Sequence, residues 1–151
     1  MATKKDKTVK IVGFQSGHDI AYCILENGIP VIHEEQERIS RVKMETGDGL
    51  KLFFSRFNGS TRDIKYFAFG NRNLRSGRWK NRCGDRDSDD KMNKILSDNN
   101  GSFYELSHHL CHGANAFYTS NFDRALIIVI DGGGFEDDDS RTSFTISEGI
   151  G

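Results

Sequence analysis

The sequence predicts an α/β protein in which helices flank a mixed β-sheet. Short β-branched and aromatic segments alternate with segments whose apolar residues have helical spacing. Hydrophobic residues make up 36% of the 151 residues, which is enough to bury a core and argues against wholesale disorder. The single proline excludes proline-rich linkers and recognition tracts.

Three strands are predicted near the start of the chain, after a basic lead-in over residues 1–8 that we expect to be disordered. These strands cover residues 9–14, 21–25 and 29–33. The dipeptide Asn27-Gly28 predicts a tight hairpin, because both residues tolerate a positive φ. Pro30 removes a backbone donor near the start of the third strand, which favours an edge position in the sheet.

Helices and strands alternate over the rest of the chain. We predict helices over 49–57, 91–96 and 108–118, strands over 64–69, 103–106, 125–130 and 142–147, and a long loop over 71–90. The continuous apolar run at 125–130 is typical of a strand buried on both faces. The order after the first turn fits a ribonuclease-H-like mixed sheet. A faint repeat of strand, turn and strand predicts a first lobe over 9–124 and the start of a second, truncated lobe over 125–151.

Charge and cysteine content exclude several classes of protein. The 21 basic and 22 acidic residues nearly cancel, so the chain is not a globally basic nucleic-acid binder. A basic cluster around Trp79 could bind single-stranded nucleic acid, but the acidic residues that follow it cancel its positive charge. The longest apolar run is too short to span a bilayer. Three cysteines at unrelated spacings predict reduced thiols and a cytoplasmic protein.

The segment 107–114 carries three of the five histidines of the chain. On a helix, His108 and His112 project from the same face, which is the geometry that two imidazoles need to bind one metal ion. The glutamate of a His-Glu-x-x-His zinc protease is absent. His109 points elsewhere, and Cys111 fits a small buried residue better than a ligand. The alternative is a polar helix start with its histidines in solvent.

A second candidate segment follows the apolar run at 125–130. Asp131 at a strand end can ligate a cation. Gly132, Gly133 and Gly134 let backbone amides approach an oxyanion closely. The alternative interpretation is a flexible glycine turn.

Two further segments near the N-terminus could carry chemistry. His18, in the first turn, is a candidate proton acceptor that Asp19 could orient; the alternative is a turn histidine in water. The charged segment 34–43 is typical of a solvated face, but Arg38, Arg41 or Lys43 could reach an anionic substrate.

Taken together, these motifs resemble the N-terminal part of the O-carbamoyltransferases, which include the nodulation-factor and antibiotic-tailoring enzymes. The resemblance rests on residues 13–19, 34–43, 107–112, 117–118 and 130–134, in that order, and extends from about Lys10 to the chain end. It implies the duplicated fold of the actin-like ATPase superfamily. It also implies that carbamoyl phosphate and ATP form a carbamoyl-adenylate, whose carbamoyl group passes to an acceptor hydroxyl at a metal-bearing domain.

The resemblance also implies roles for individual residues. His108, His112 and Asp131 match the metal ligands, with Fe²⁺ the expected ion, and a further aspartate would lie beyond residue 151. His18 matches the acceptor-side histidine and Lys43 the family lysine, while the glycines at 132–134 would lie along phosphate. Cys111 and Gln36 depart from the family pattern, which has alanine and glutamate there, but neither position is an expected ligand.

Two other functions compete with the carbamoyltransferase. One is a tRNA threonylcarbamoyl-transfer-like protein, and the other is a non-catalytic, truncated module that binds metal. For the leading interpretation, the expected partners are carbamoyl phosphate, ATP and a hydroxyl-bearing small-molecule acceptor, with no membrane and no nucleic acid. The missing C-terminal half is expected in cis or from a separate chain, and the 151-residue chain alone should be inactive.

Overall fold

The chain contains a five-stranded mixed sheet and a separate two-stranded hairpin, as seen in a computed structural model that describes residues 8–71, 84–135 and 140–151. The strands are β1 (Lys10–Gln15), β2 (Ala21–Glu26), β3 (Ile29–Glu35), β4 (Ile64–Phe69), β5 (Ser102–Glu105), β6 (Arg124–Phe135) and β7 (Arg141–Ile150). The described helices are α1 (Gln36–Ser40), α2 (Gly49–Arg56), α3 (Arg86–Asn99) and α4 (His108–Tyr118).

The five-stranded sheet has the order β3-β2-β1-β4-β5. Strand β1 pairs with β2 in antiparallel orientation and with β4 in parallel orientation, so the sheet is mixed. Asn27 and Gly28 both have positive φ, which confirms the predicted hairpin between β2 and β3. Pro30 lies in β3 at the sheet edge, also as predicted. This topology confirms the ribonuclease-H-like mixed sheet with flanking helices.

Aromatic side chains fill the core between this sheet and α2. Phe53 of α2 is fully buried, and its ring contacts Tyr22 of β2, Phe67 of β4 and Phe57. Asp48 begins α2, because its side chain accepts a hydrogen bond from the backbone amide of Leu50. The amphipathic pattern that predicted this helix is therefore the pattern that builds the core.

By contacts between residues, the described chain divides into two units. Residues 8–69 and 84–104 form the first, and residues 70–71, 105–135 and 140–151 form the second. In the second unit, α4 packs on the β6–β7 hairpin, where Gly113 lies close to Ile127 and Val129. The predicted start of a second lobe at residue 125 stays a prediction.

The structure corrects the predicted course of the chain before and within α3. The loop prediction over 71–90 is wrong from Arg86 onward, since α3 begins there, and the predicted helix over 91–96 is too short. Only Ser88, Met92 and Leu96 of α3 are buried, so its apolar stripe is too narrow to be found from periodicity. The short helix α1 within the charged segment 34–43 was not predicted. Residues 72–83, with most of the basic cluster, and residues 1–7 lie outside the described chain.

Two predictions for the strand near residue 125 are also wrong. The strand does not end at Ile130 but continues through the glycines to Phe135, with a register irregularity between Ile130 and Gly134. It is not buried on both faces, because Leu126, Ile128 and Ile130 are 54–77% exposed. A continuous apolar run shows that both faces are apolar but not that both are covered. In the described parts of the chain, no helix has both the length and the apolar content needed to cross a bilayer.

Candidate metal centre

Helix α4 presents two histidines from one face of its first turns. The Ser107 hydroxyl accepts a hydrogen bond from the backbone amide of Leu110 and so starts the helix at His108. One turn later, His112 lies on the same side. The buried residues of the helix, His109, Gly113 and Phe117, lie on another side. The predicted helix over 108–118 is therefore confirmed, with the two candidate ligands at the edge of its packed face.

Strand β6 brings Asp131 to this pair. The Nε2 atom of His108 is 2.8 Å from Oδ2 of Asp131 and 3.1 Å from Nε2 of His112, and the third distance, from His112 Nε2 to Asp131 Oδ2, is 3.9 Å. Two ligand atoms that are each about 2.1 Å from one ion lie about 3.0 to 3.4 Å apart at tetrahedral or octahedral angles. The three side chains thus converge closely enough to share one cation with little rearrangement.

A backbone carbonyl orients the first histidine. The Nδ1 atom of His108 is 3.1 Å from the carbonyl oxygen of Gly70, which belongs to the same unit. A carbonyl only accepts, so Nδ1 carries a proton and donates it there. In neutral His108, Nε2 then has a lone pair that faces the carboxylate of Asp131. The lone pairs of Nε2 and of the carboxylate repel each other at this distance unless a proton or a cation lies between them. A hydrogen bond from the other ring nitrogen to a backbone carbonyl is typical of histidines that bind metal.

The electrostatics keep the other two ligands in their metal-binding forms. Partial burial, and then the neighbouring His108, lower the pKa of His112 below its usual value. The backbone amide of Gly132 donates to Oδ1 of Asp131 over 2.6 Å and is the largest cause that lowers the pKa of Asp131. At neutral pH, His112 is therefore an uncharged imidazole and Asp131 a carboxylate, which are the forms that bind divalent cations.

The three glycines after Asp131 do not form the predicted phosphate-binding loop but belong to a strand that packs beside the candidate centre. They belong to β6, and Gly133 has a φ of +132°, which side chains rarely adopt. A Cβ atom on Gly134 would lie 2.2 Å from Cβ of His108. Glycine is therefore needed at position 134 to leave room for the His108 side chain. A Cβ on Gly132 would meet nothing within 4 Å.

Sequence reasoning missed three contributors to this centre. These are the Gly70 carbonyl, the packing role of Gly134, and Arg141 of β7, whose guanidinium lies against Gly133. The first two could not be found because they depend on contacts between distant parts of the chain. The proximity of Arg141 follows from the β6–β7 register, in which Arg141 pairs with Phe135.

The structure places the other predicted site residues in the first unit. His18 is exposed, and its Nδ1 is 2.6 Å from Oδ2 of Asp19. Their turn is anchored beside them, because Gly17 and Gly47 exchange backbone hydrogen bonds and the Ser16 hydroxyl donates to Asp48. Lys43 is exposed in the segment after α1. The roles of His18 and Lys43 in catalysis stay predictions.

Neither of the two residues judged poorer ligands joins the candidate centre. His109 is 2% exposed and turns into the packed side of α4. Cys111 is partly buried and is not a member of the converging group.

Comparison with known proteins gives a structural likeness at low sequence identity. No family model and no curated protein matches this sequence. Among solved structures, the chain is similar to YeaZ from Pseudomonas aeruginosa, with a TM-score of 0.43 and 11% sequence identity. The similarity covers 94% of this chain and 67% of that one.

Proposed function

We propose that this chain is the N-terminal part of a carbamoyltransferase that moves a carbamoyl group from carbamoyl-adenylate to an acceptor hydroxyl. The observation that carries the proposal is the convergence of His108, His112 and Asp131, since the motif resemblance assigns these same residues to the metal. Two imidazoles and one carboxylate with positions left open form the donor set that suits Fe²⁺.

The proposed centre acts on the phosphate end of the donor. His108, His112 and Asp131 would hold the ion, which would neutralise phosphate charge and orient the adenylate. The hydrogen bond to the Gly70 carbonyl would leave Nε2 of His108 as the ligand atom, and the Gly132 amide favours the ionised form of Asp131. Arg141, beside Gly133, adds a positive charge for the same phosphate.

His18 would accept the proton of the acceptor hydroxyl. Its Nδ1 proton is donated to Asp19, so Nε2 carries the lone pair and is free to act as a base. The acceptor oxygen forms a bond to the carbamoyl carbon, and the bond from that carbon to the phosphate oxygen breaks. AMP leaves with the electron pair, and the hydroxyl proton goes to His18. Lys43 would contribute positive charge to an anionic substrate.

Metal binding by single variants tests the centre. The wild-type chain should bind one equivalent of Fe²⁺, measured anaerobically by calorimetry, and His108→Ala and His112→Ala should each lose it. His33→Ala removes a histidine that is exposed like His112 but lies on β3, and this variant should bind Fe²⁺ as the wild type does. Unchanged stoichiometry in both His108→Ala and His112→Ala would contradict the proposed centre.

Turnover distinguishes an enzyme from a binding module. The isolated chain should show no carbamoyl transfer with ATP, carbamoyl phosphate and a hydroxyl acceptor, because the adenylate-forming part is expected elsewhere. Transfer should appear when the chain is supplied with that part, in cis or as a separate chain. Metal binding without transfer in the completed protein would favour a non-catalytic metal-binding module, whereas robust turnover by the 151 residues alone would contradict the proposal that a further part is needed.

A further inference from the structure

Strand β6 is apolar on both faces, but only one face of the β6–β7 hairpin is covered in the described chain. On the inner face, Val129 is buried near Gly113 of α4, and Gly149 lies against Phe117. The opposite face, here called the outer hairpin face, carries large apolar side chains that are 50–77% exposed. These are Leu126, Ile128, Ile130, Phe144, Ile146 and Ile150.

The outer hairpin face is larger than a solitary chain ordinarily exposes. The exposed fractions of its six side chains correspond to roughly 700 Å² of contiguous apolar surface, whereas the largest patch on a typical monomer is about 300–600 Å². A stable interface of standard size takes about 800 Å² from each partner. The face is therefore close to the area that one half of such an interface needs.

The charges on this face neutralise each other. Arg124 and Glu148 flank the apolar residues at one end, and Nε of Arg124 is 2.5 Å from Oε1 of Glu148. Among the described residues of the two strands, no other charged side chain shares this face, since the remaining positions of the same alternation are apolar or Thr142. The face offers no net charge to attract an acidic or basic partner, and two copies of it would not repel each other.

We propose that the outer hairpin face is the interface between two copies of this chain. Two twisted sheets pack face to face about 10 Å apart with their strands nearly aligned, which suits rows of β-branched side chains. A two-fold axis lets the same patch serve both copies. Ile128 and Ile146 are directly paired across the hairpin and lie at the middle of the face, so the axis passes beside them.

The oligomeric state of the purified chain tests this interface. Sedimentation equilibrium should give twice the mass of the 17.1 kDa chain, with a Kd of about 1 µM or lower for an interface of this size. The double variant Ile128→Lys/Ile146→Lys should be monomeric up to on the order of 100 µM. Its matched control is Ile29→Lys/Val31→Lys on the edge strand β3, where the side chains are similarly exposed, at 66% and 48%. The control should remain a dimer.

A second measurement covers the case in which the lysine variant fails to fold. In a chain whose three cysteines are replaced, Ile128→Cys should be crosslinked to its own copy by a bismaleimide with a span of about 10 Å, because the axis brings the two positions to opposite sides of the gap between the sheets. Ile29→Cys in the same background should not.

Four results would overturn the proposal. The first is a wild-type chain that is monomeric at the highest concentration, which would assign the face to a different protein or to a further segment of polypeptide. The second is an open-ended series of oligomers, which excludes a two-fold contact. The third is a dimer that persists in the Ile128→Lys/Ile146→Lys variant, and the fourth is equal loss of the dimer in the β3 control.

Discussion

Replacement of Gly134 by alanine should disrupt the candidate metal centre without replacing any of its three ligands. The added methyl group would lie 2.2 Å from Cβ of His108 and 2.4 Å from its ring, about 1.2 Å short of the 3.4 Å at which ordinary contact begins. His108 must move by about that amount, or β6 must shift away from α4. Either movement separates Nε2 of His108 from Asp131, now 2.8 Å away.

The expected loss of metal affinity can be judged from the effect of removing residues that orient metal ligands. Changes in residues that only orient metal ligands lower metal affinity by about 10- to 100-fold. Forcing a methyl group into a filled space also destabilises a fold by about 1–3 kcal/mol. Gly134→Ala should therefore bind Fe²⁺ at least tenfold more weakly than the wild type and unfold at a lower temperature.

Two glycine variants separate repositioning from general destabilisation. Gly132→Ala places its methyl group in open space two residues away and keeps the amide that donates to Asp131, so affinity should be unchanged. In Gly149→Ala the methyl group would lie 2.5 Å from Phe117, which should lower stability but leave metal affinity within a few-fold. Calorimetric titration gives the affinity, and thermal unfolding followed by circular dichroism gives the stability. Equal Fe²⁺ affinity in folded Gly134→Ala and Gly132→Ala would refute the packing argument.

Three further changes test other parts of the molecule. Asp85→Ala should cost about 1 kcal/mol in the free energy of unfolding, because Asp85 caps α3 through Ser88, whereas Asp87→Ala should cost a few tenths. The hydrogen bonds from Ser88 lower the pKa of Asp85, so its contribution is complete above about pH 5 and should be lost as the pH falls below about 4 in denaturant titrations. Phe53→Ala should cost about 3–5 kcal/mol by chemical denaturation, since its fully buried ring leaves a cavity; an effect under 1 kcal/mol would contradict the core described above. In a completed enzyme, His18→Ala should keep metal but lose about 10²- to 10⁴-fold in carbamoyl transfer; loss of the metal would instead make His18 a ligand.

Local patterns in the sequence were enough for most of the first unit. The Asn27-Gly28 turn forms between neighbours in the chain, and the apolar alternation of β1, β2 and β4 marks the strands in the sequence itself, although β1 then pairs with the distant β4. The same holds for the pair His108 and His112, because four residues on a helix always bring two side chains to one face. Helix α3 could not be delimited in this way, since its capping residue Asp85 lies in a run of charged residues and its buried stripe consists of only three residues.

The sequence by itself therefore determined that two histidines could share an ion and that Asp131 follows an apolar strand. Only the tertiary structure decided that this aspartate lies beside that pair, because its position depends on how the β6–β7 hairpin packs against α4 through Gly113 and Phe117. The same packing decides which side of the hairpin is covered. One helix can cover only one face of two strands, so the outer face remains exposed although β6 is apolar on both sides.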